Sequence, residues 1–224
     1  MHRYYPLNNN FFQLLGSGTS TSTSYAKDSL QLRFLLYLQG VLNKFLLQIS
    51  LSSDTYIIHV NPQHVLPVMF YLRSNSLCRF GVLTDLAAMD TLSGFRRFFI
   101  CYNLLSLNNN IRIFVKTRLL DNDRISSIVP VFINANWAER EAWDLFGIYF
   151  FNHPDLRRIL TDYGFESHPL RKDFPLTGYK EISYSDSRKM IRVSPVSLSQ
   201  EYRVFLFNNP WRAGNNKISD ALVR

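Results

Sequence analysis

The sequence predicts an α+β protein: an N-terminal globular domain with a mixed or antiparallel sheet packed by helices, followed by an extended C-terminal strap with little core of its own. Three observations predict it. Between Asp28 and Phe151, helix-spaced apolar runs are interleaved with short β-branched and aromatic runs, the pattern of helices laid on a sheet. From residue 152 that order stops, and Pro154, Pro169, Pro175, Pro195 and Pro210, with Gly164, Gly178 and Gly214, break the chain. The same stretch stays rich in aromatics, among them Tyr163, Phe165, Phe174, Tyr179, Phe205 and Trp211, which disordered tails lack. A segment so aromatic yet so broken cannot easily build a core and is expected to bury its rings on another protein. The expected division is 1–27, a flexible start or weak presequence; 28–151, the globular domain; and 152–224, the partner-binding strap.

The elements follow in order. Residues 1–27 carry no acid and a Thr/Ser run, Thr19–Ser24. Asp28 followed by Gln31 has the form of a helix cap with a reciprocal side chain, and the helix is expected to reach Gln48. Thr55–Val60 reads as a buried strand. Asn61-Pro62 opens the next helix, with Val65, Val68, Met69 and Leu72 on one face. Three strands follow at Phe80–Met89, Arg96–Leu105 and Ile111–Leu119, the last two joined in an antiparallel hairpin by Asn108-Asn109-Asn110. In the third, Ile111, Ile113 and Val115 alternate with Arg112, Phe114 and Lys116, the mark of a half-solvated sheet. A helix over Asn134–Phe146 closes the domain, with Asn136 as its expected N-cap and Gly147 as its stop. In the strap, short strands are expected at Lys180–Tyr184, Met190–Val193 and Tyr202–Phe207.

Composition narrows the function. The net charge of +8 suggests an acidic partner, a nucleic acid or an anionic surface, but no run of five like charges stands out, which disfavours nucleic acid. Two cysteines, Cys78 and Cys101, are too few for an iron–sulfur cluster or a four-cysteine zinc site and read as core thiols of a reducing compartment. The most apolar stretch, Leu30–Leu51, is interrupted by Arg33 and Lys44 and is too polar to span a bilayer. His59 and His64 lack a third ligand, and Gly16-Ser17-Gly18 lacks the Lys-Ser/Thr of a phosphate loop. No dinucleotide fingerprint or nucleophile elbow occurs.

The densest chemistry lies in Asn136–Gly147 and Asn152–Leu160. Glu139, Glu141, Asp144 and His153 have the side chains of a general acid and base. A structural reading competes and carries more weight. Arg140 and Asp144 are four apart, as a helix-surface ion pair would be. Glu139 falls in the first turn, where an acid offsets the helix dipole. Trp137, Ala138, Ala142, Leu145 and Phe146 form an apolar face, which leaves Glu141 the least explained.

These same residues carry a family resemblance. Glu139-Arg140-Glu141, Asp144, Leu145-Phe146, His153 with Pro154 after it, Arg157 with Arg158 after it, and Ile159-Leu160 reproduce the pattern that marks the thirty-kilodalton (NuoC-type) subunit of respiratory complex I. The run Leu160–Pro175, including Arg171-Lys172-Asp173, and the segment Gln200–Arg203 also resemble it. The resemblance is dense over residues 130–211. It implies a subunit of the peripheral arm of NADH:ubiquinone oxidoreductase that stabilises the quinone-reducing part. As an isolated chain it would have no catalytic, cofactor-binding or metal-binding residue. FMN, iron–sulfur clusters and ubiquinone would sit on partner subunits, and the strap would pack on the large quinone-chamber (49 kDa-type) subunit. Membrane contact would come only through the complex, and no nucleic acid would bind. The implied place is the mitochondrial inner membrane, matrix side, or the cytoplasmic face of a bacterial inner membrane. Arg157 or Arg158 would then make a bidentate carboxylate contact across the interface. The rival reading is a basic organellar RNA-binding or ribosomal protein.

Overall fold

The computed structural model of the chain describes residues 3–5, 33–52, 55–92, 96–200 and 202–203. They divide into two units, residues 1–176 and 177–224. The first is built on one sheet of six strands: β1 (Arg3–Tyr5), β2 (Leu46–Ser52), β3 (Thr55–Val60), β4 (Val82–Asp90), β5 (Phe98–Ser106) and β6 (Ile111–Leu119). Their spatial order is β1-β2-β3-β6-β5-β4. β3 runs parallel to β6 and every other neighbouring pair is antiparallel, so the sheet is mixed.

One face of this sheet is the core. β5 turns Phe98, Ile100, Tyr102 and Leu104 inward, and β6 turns in Ile113, Val115 and Leu119. Helix α1 (33–42) adds Leu38 and Leu42, α2 (Val65–Ser74) adds Val65, Val68, Met69 and Leu72, and α3 (Ala135–Phe146) adds Ala135 and Ala142 to the same cluster. Burying an aliphatic side chain of this kind contributes roughly 1.5–3 kcal/mol. The spacing of Val65, Val68, Met69 and Leu72 puts all four on one stripe, as expected for a helix covering a sheet. Asn61 caps the 3-10 turn Pro62–His64 that leads into α2, its side chain accepting from the Gln63 amide. A parallel pair, β7 (Arg124–Ser126) and β8 (Tyr149–Phe151), brackets α3.

Several expectations are corrected. The first helix ends at residue 42, not at Gln48, and Leu46–Ser52 forms β2. The run Leu46-Leu47-Gln48-Ile49-Ser50 fits either period, and pairing with β3 decides it, with a bulge between Leu46 and Gln48. The Asp28–Gln31 cap lies outside the described residues. β4 begins at Val82 rather than Phe80, because Arg79 turns the chain at φ 46°. β5 begins at Phe98 rather than Arg96. Asn134, not Asn136, is the N-cap of α3, and its amide donates to the Leu83 carbonyl of β4. Trp137 is not on the buried face: it is 70% exposed, while Glu139 and Asp144 are fully buried. The first unit extends to Leu176, past the boundary expected at Phe151, because residues 153–173 are fastened to α3 and the sheet by polar contacts that have no sequence period.

The second unit contains the hairpin β9 (Lys180–Ser185) and β10 (Met190–Pro195), paired antiparallel. Its register puts Ile182 opposite Val193 and Tyr184 opposite Ile191 on one face. All four are exposed, at 57–69%. The strand expected at Tyr202–Phe207 lies outside the described residues beyond Arg203, and Tyr202 and Arg203 are not in a strand.

Candidate functional site

Helix α3 presents two carboxylates inward, and each has a different job. Glu139 lies one turn after Ala135 on the buried stripe Ala135–Glu139–Ala142. Its Oε1 accepts from the Ile128 amide at 2.7 Å and its Oε2 from the Ser127 hydroxyl at 2.6 Å. It therefore ties α3 to the chain leaving β7. The expected role as a first-turn acid that offsets the helix dipole is corrected: α3 starts at Ala135, so Glu139 lies past the first turn, and it is buried in the core. Burial raises its pKa to about 7, and the Ser127 and Ile128 hydrogen bonds only partly oppose that.

His153 lies beside it, Nε2 at 3.9 Å from Glu139 Oε2, and both side chains are fully buried. The imidazole tautomer follows from its partners. Nδ1 accepts from the Asp155 amide at 3.1 Å, so Nε2 carries the hydrogen and donates it to the Asn136 carbonyl at 3.2 Å. The ring thus clasps α3 to the start of the following segment.

Asp144 is the anchor of that segment. Its Oδ2 accepts from the amides of Ile159, Leu160 and Thr161 at 3.2, 2.9 and 2.9 Å. Its Oδ1 accepts from Arg158 Nη1 at 3.0 Å and the Thr161 hydroxyl at 2.6 Å. Five donors converge on one fully buried carboxylate. Burial pushes the pKa up, but the hydrogen bonds from Thr161, Leu160 and Ile159 outweigh it and hold the group below its ordinary value. The expected Arg140–Asp144 surface pair is corrected. Asp144 pairs with Arg158, and Arg140 reaches back to the Arg157 carbonyl at 3.1 Å. The tertiary partner wins because a desolvated, multiply hydrogen-bonded pair outweighs an exposed i,i+4 pair worth about 0.2–0.5 kcal/mol.

The end of the segment is fixed the same way. Arg97 forks onto Asp90, Nε to Oδ1 at 2.8 Å and Nη2 to Oδ2 at 2.6 Å, and also reaches Asp173 at 2.7 Å. The Lys172 amide donates to Asp90 Oδ2 at 2.9 Å. Burial opposes ionisation of Asp90, yet these bonds lower its pKa to about 2. Arg171 donates from Nε to the Phe146 carbonyl at 2.6 Å, pairs with Asp121 at 3.2 Å and lies over the Phe98 ring. His168 Nδ1 donates to the Asp144 carbonyl at 2.9 Å.

Gly147 is where these contacts require a particular residue. It ends α3 at φ 79°, and a Cβ there would come within 2.6 Å of both Arg171 Nη2 and His168 Cδ2. Gly147→Ala is expected to cost about 1–2 kcal/mol from the left-handed conformation alone, with displacement of Arg171 and His168 added. Thermal unfolding together with the His168 NMR signal would read it, and an unchanged melting temperature would contradict it.

Of the remaining signature residues, Glu141, Pro154 and Arg157 are exposed, and Arg157 pairs with Asp155 at 2.9 Å on the surface. Leu145 and Phe146 are half-buried, and their carbonyls receive Leu170 and Arg171. The acids and the histidine are therefore not brought together around open space. Of two clefts of about 290 and 400 Å³, one is lined by Arg73 and Arg79 among others, and the other by Asp123 and Arg124 with Gly147 and Arg171 at its edge; neither takes in Glu139, Glu141, Asp144 or His153. Sequence reasoning missed Ser127, Asp90, Arg97, Thr161 and His168. Thr161 and His168 lie in the run that carries the resemblance, whereas Asp90 and Arg97 carry no pattern that links them to Lys172 or Asp173.

What the block amounts to is a fastening, and comparison with known proteins gives it a family. Residues 58–180 match the family described as respiratory-chain NADH dehydrogenase, 30 Kd subunit. The chain belongs to this family. Members similar to it include the mitochondrial NADH dehydrogenase [ubiquinone] iron-sulfur protein 3 of Candida albicans, 48% identical over 173 residues, or 77% of this chain and 62% of that one. The chain thus spans under two thirds of that relative's length. A bacterial member, from the NADH-quinone oxidoreductase of Rhodospirillum rubrum, is 42% identical over 185 residues, covering 83% of this chain and 87% of its own length. A chain in the structure of the membrane-bound sulfane sulfur reductase, an archaeal respiratory membrane complex, shares the fold at a TM-score of 0.54 and 20% identity, over 64% of this chain and 86% of its own length.

Proposed function

We propose that this chain is a structural subunit of respiratory NADH:ubiquinone oxidoreductase (complex I), in its peripheral arm, where it stabilises the quinone-reducing part during electron transfer coupled to proton pumping. The observation that carries the reading is the use made of the signature residues. Glu139, Asp144, His153, Arg158 and Arg171 all fasten residues 153–173 onto α3 and the sheet; no acid or histidine among them lines either cleft, and Arg171, which borders one, is held by the Phe146 carbonyl and Asp121. The chemistry belongs to partners that hold FMN, iron–sulfur clusters and ubiquinone. This chain's two cysteines, Cys78 buried in the core and Cys101 on β5, are too few to ligate a cluster. The family relationship supports a place on the matrix side of the mitochondrial inner membrane, or on the cytoplasmic face of a bacterial one.

The strap is the partner-binding element, and the large quinone-chamber (49 kDa-type) subunit is its partner. Two strands alone are marginally stable in water. A hairpin that exposes Ile182, Tyr184, Ile191 and Val193 on one face gains its stability by covering that face. Arg158 is already committed to Asp144, so of the two arginines it is Arg157 whose guanidinium reaches outward.

Affinity purification on a tagged chain in mild detergent is expected to recover the large subunit together with NADH–quinone activity. An assembly lacking both would overturn the reading. Replacing Ile182 and Val193 together by Asp is expected to leave the melting of unit 1 unchanged and to cut recovery of the large subunit at least about tenfold, as loss of two apolar anchors does. In the free chain, limited proteolysis is expected to start beyond Leu176 and to stop when the partner is bound.

A further inference from the structure

The two faces of the six-stranded sheet are unlike. The inner one is covered by α1, α2 and α3, and among the described residues no helix joins the outer one. β6 sends Arg112, Phe114, Lys116 and Arg118 to the outer face, and β5 sends Phe99, Cys101, Asn103 and Leu105. Register sets them in rows: Leu105 beside Arg112, Asn103 beside Phe114, Cys101 beside Lys116, Phe99 beside Arg118. On the other side of β6, His59 of β3 lies next to Lys116 and Ile57 next to Phe114.

The charge on this face is mainly positive. No carboxylate among the described residues forms an ion pair with Arg112, Lys116 or Arg118, whereas Arg157, Arg158 and Arg171 each have one and Arg97 has two. Asp85 on edge strand β4 is the acid of this face, and its carboxylate accepts from the Leu86 amide. The cationic row is felt locally: burial lowers the His59 pKa, and Arg118 and Lys116 lower it further. Phe99, Phe114 and Leu105 supply an apolar floor that does not join the core cluster, and Met89 extends it on β4, 45% exposed.

We propose that this outer face is a second interaction surface, and that its partner is an acidic segment of a neighbouring protein laid across β5 and β6. Three cations on one face of β6, Arg112, Lys116 and Arg118, none in an ion pair among the described residues, stand four and two residues apart at about 6.8 Å for each two residues, and match carboxylates repeated along an extended or helical acidic segment. The half-buried Phe99, Phe114 and Leu105 between them provide the dry centre that an interface needs. A nucleic acid fits less well. One face of the Phe99 ring is already covered by the Arg118 guanidinium at 4.6 Å, which competes with base stacking there, and Asp85 would repel a phosphate backbone at the β4 edge. The surface is made of other residues than the hairpin, and the inference rests on the proposed function only in that the chain works inside an assembly.

The test uses the native assembly purified on a tag on this chain, whatever its activity. Lys116 is first labelled with an amine-reactive reagent in the free full-length chain and in the assembly. Labelling at least tenfold slower in the assembly is expected. Zero-length carbodiimide coupling is then expected to join Lys116 to an Asp or Glu of another chain, identified by mass spectrometry. Equal labelling rates would overturn the proposal. Protection without a carboxylate cross-link would overturn it too, as would photo-cross-linking of this face to RNA. Arg112→Glu with Arg118→Glu should release that neighbour at lower salt while the tagged chain keeps the large subunit. Retention of the neighbour at unchanged salt would contradict the charge argument. Failure of the proposed function instead shows as an assembly without NADH–quinone activity, and the two failures stay distinct.

Discussion

Asp144→Ala is expected to destabilise the first unit by about 3–5 kcal/mol, the usual consequence of removing one partner from a buried ion pair. The substitution strands Arg158 Nη1, the Thr161 hydroxyl and three consecutive amides, Ile159 to Thr161, all of which now end on one carboxylate. Urea denaturation measures the loss, and proteolysis should open between Asp155 and His168. Arg158→Ala is expected to cost less, because Asp144 keeps its other four donors. A loss below about 1 kcal/mol for Asp144→Ala would place the fastening elsewhere. The pH sign is that of a depressed carboxylate. The stabilisation is present above the ordinary value of 3.8 and is lost as pH falls through the lowered folded value.

Glu139→Gln is expected to do the opposite at alkaline pH. Glu139 has its pKa raised from 4.5 to about 7. The folded chain therefore binds a proton that the unfolded chain has released, and its stability is full below pH 4.5 and falls as pH rises to about 7. Over that window the wild-type chain should lose about 3 kcal/mol. Glutamine keeps the shape, accepts from the Ile128 amide and donates to Ser127 without ever ionising. Its stability should be flat over the same range and exceed that of the wild type at about pH 8. Stability curves taken at intervals from about pH 5 to about pH 8 decide it, and parallel slopes for the two proteins would remove Glu139 as the cause. Asp90 and Asp144 do not interfere, since both titrate below the window.

What the sequence makes legible follows from which forces are local. The strands Thr55–Val60 and Ile111–Leu119, the stripe of α2 and the stop at Gly147 are written in period and turn chemistry, and the structure keeps them. The stretch Leu46–Ser52 misleads because Phe45-Leu46-Leu47-Gln48-Ile49 satisfies both periods, and only the presence of β3 beside it selects a strand. The site is half legible. Asn136 reads as the cap, but the helix is capped two residues earlier at Asn134, so Glu139 falls past the first turn, and it is buried. The nearest cation to Asp144 in sequence is Arg140, four residues away, but the one that binds is Arg158, fourteen away. Separations of that kind, and the link from Asp90 to Lys172 across 82 residues, carry no one-dimensional signal.

The parallel contact between β3 and β6 bears on how the chain is made. It joins Ile58 to Val115, so β3 leaves the ribosome with its inner edge bare and waits for α2, β4 and β5 to be synthesised before its neighbour arrives. Until then the β2–β3 ribbon exposes the open backbone of what will be the middle of the sheet, the kind of edge that recruits stray strands. β6 reaches it already zipped to β5 through the turn at 107–110, so the gap closes in one docking event between two preformed halves. A newborn copy is therefore most in need of a chaperone between the synthesis of Val60 and that of Leu119.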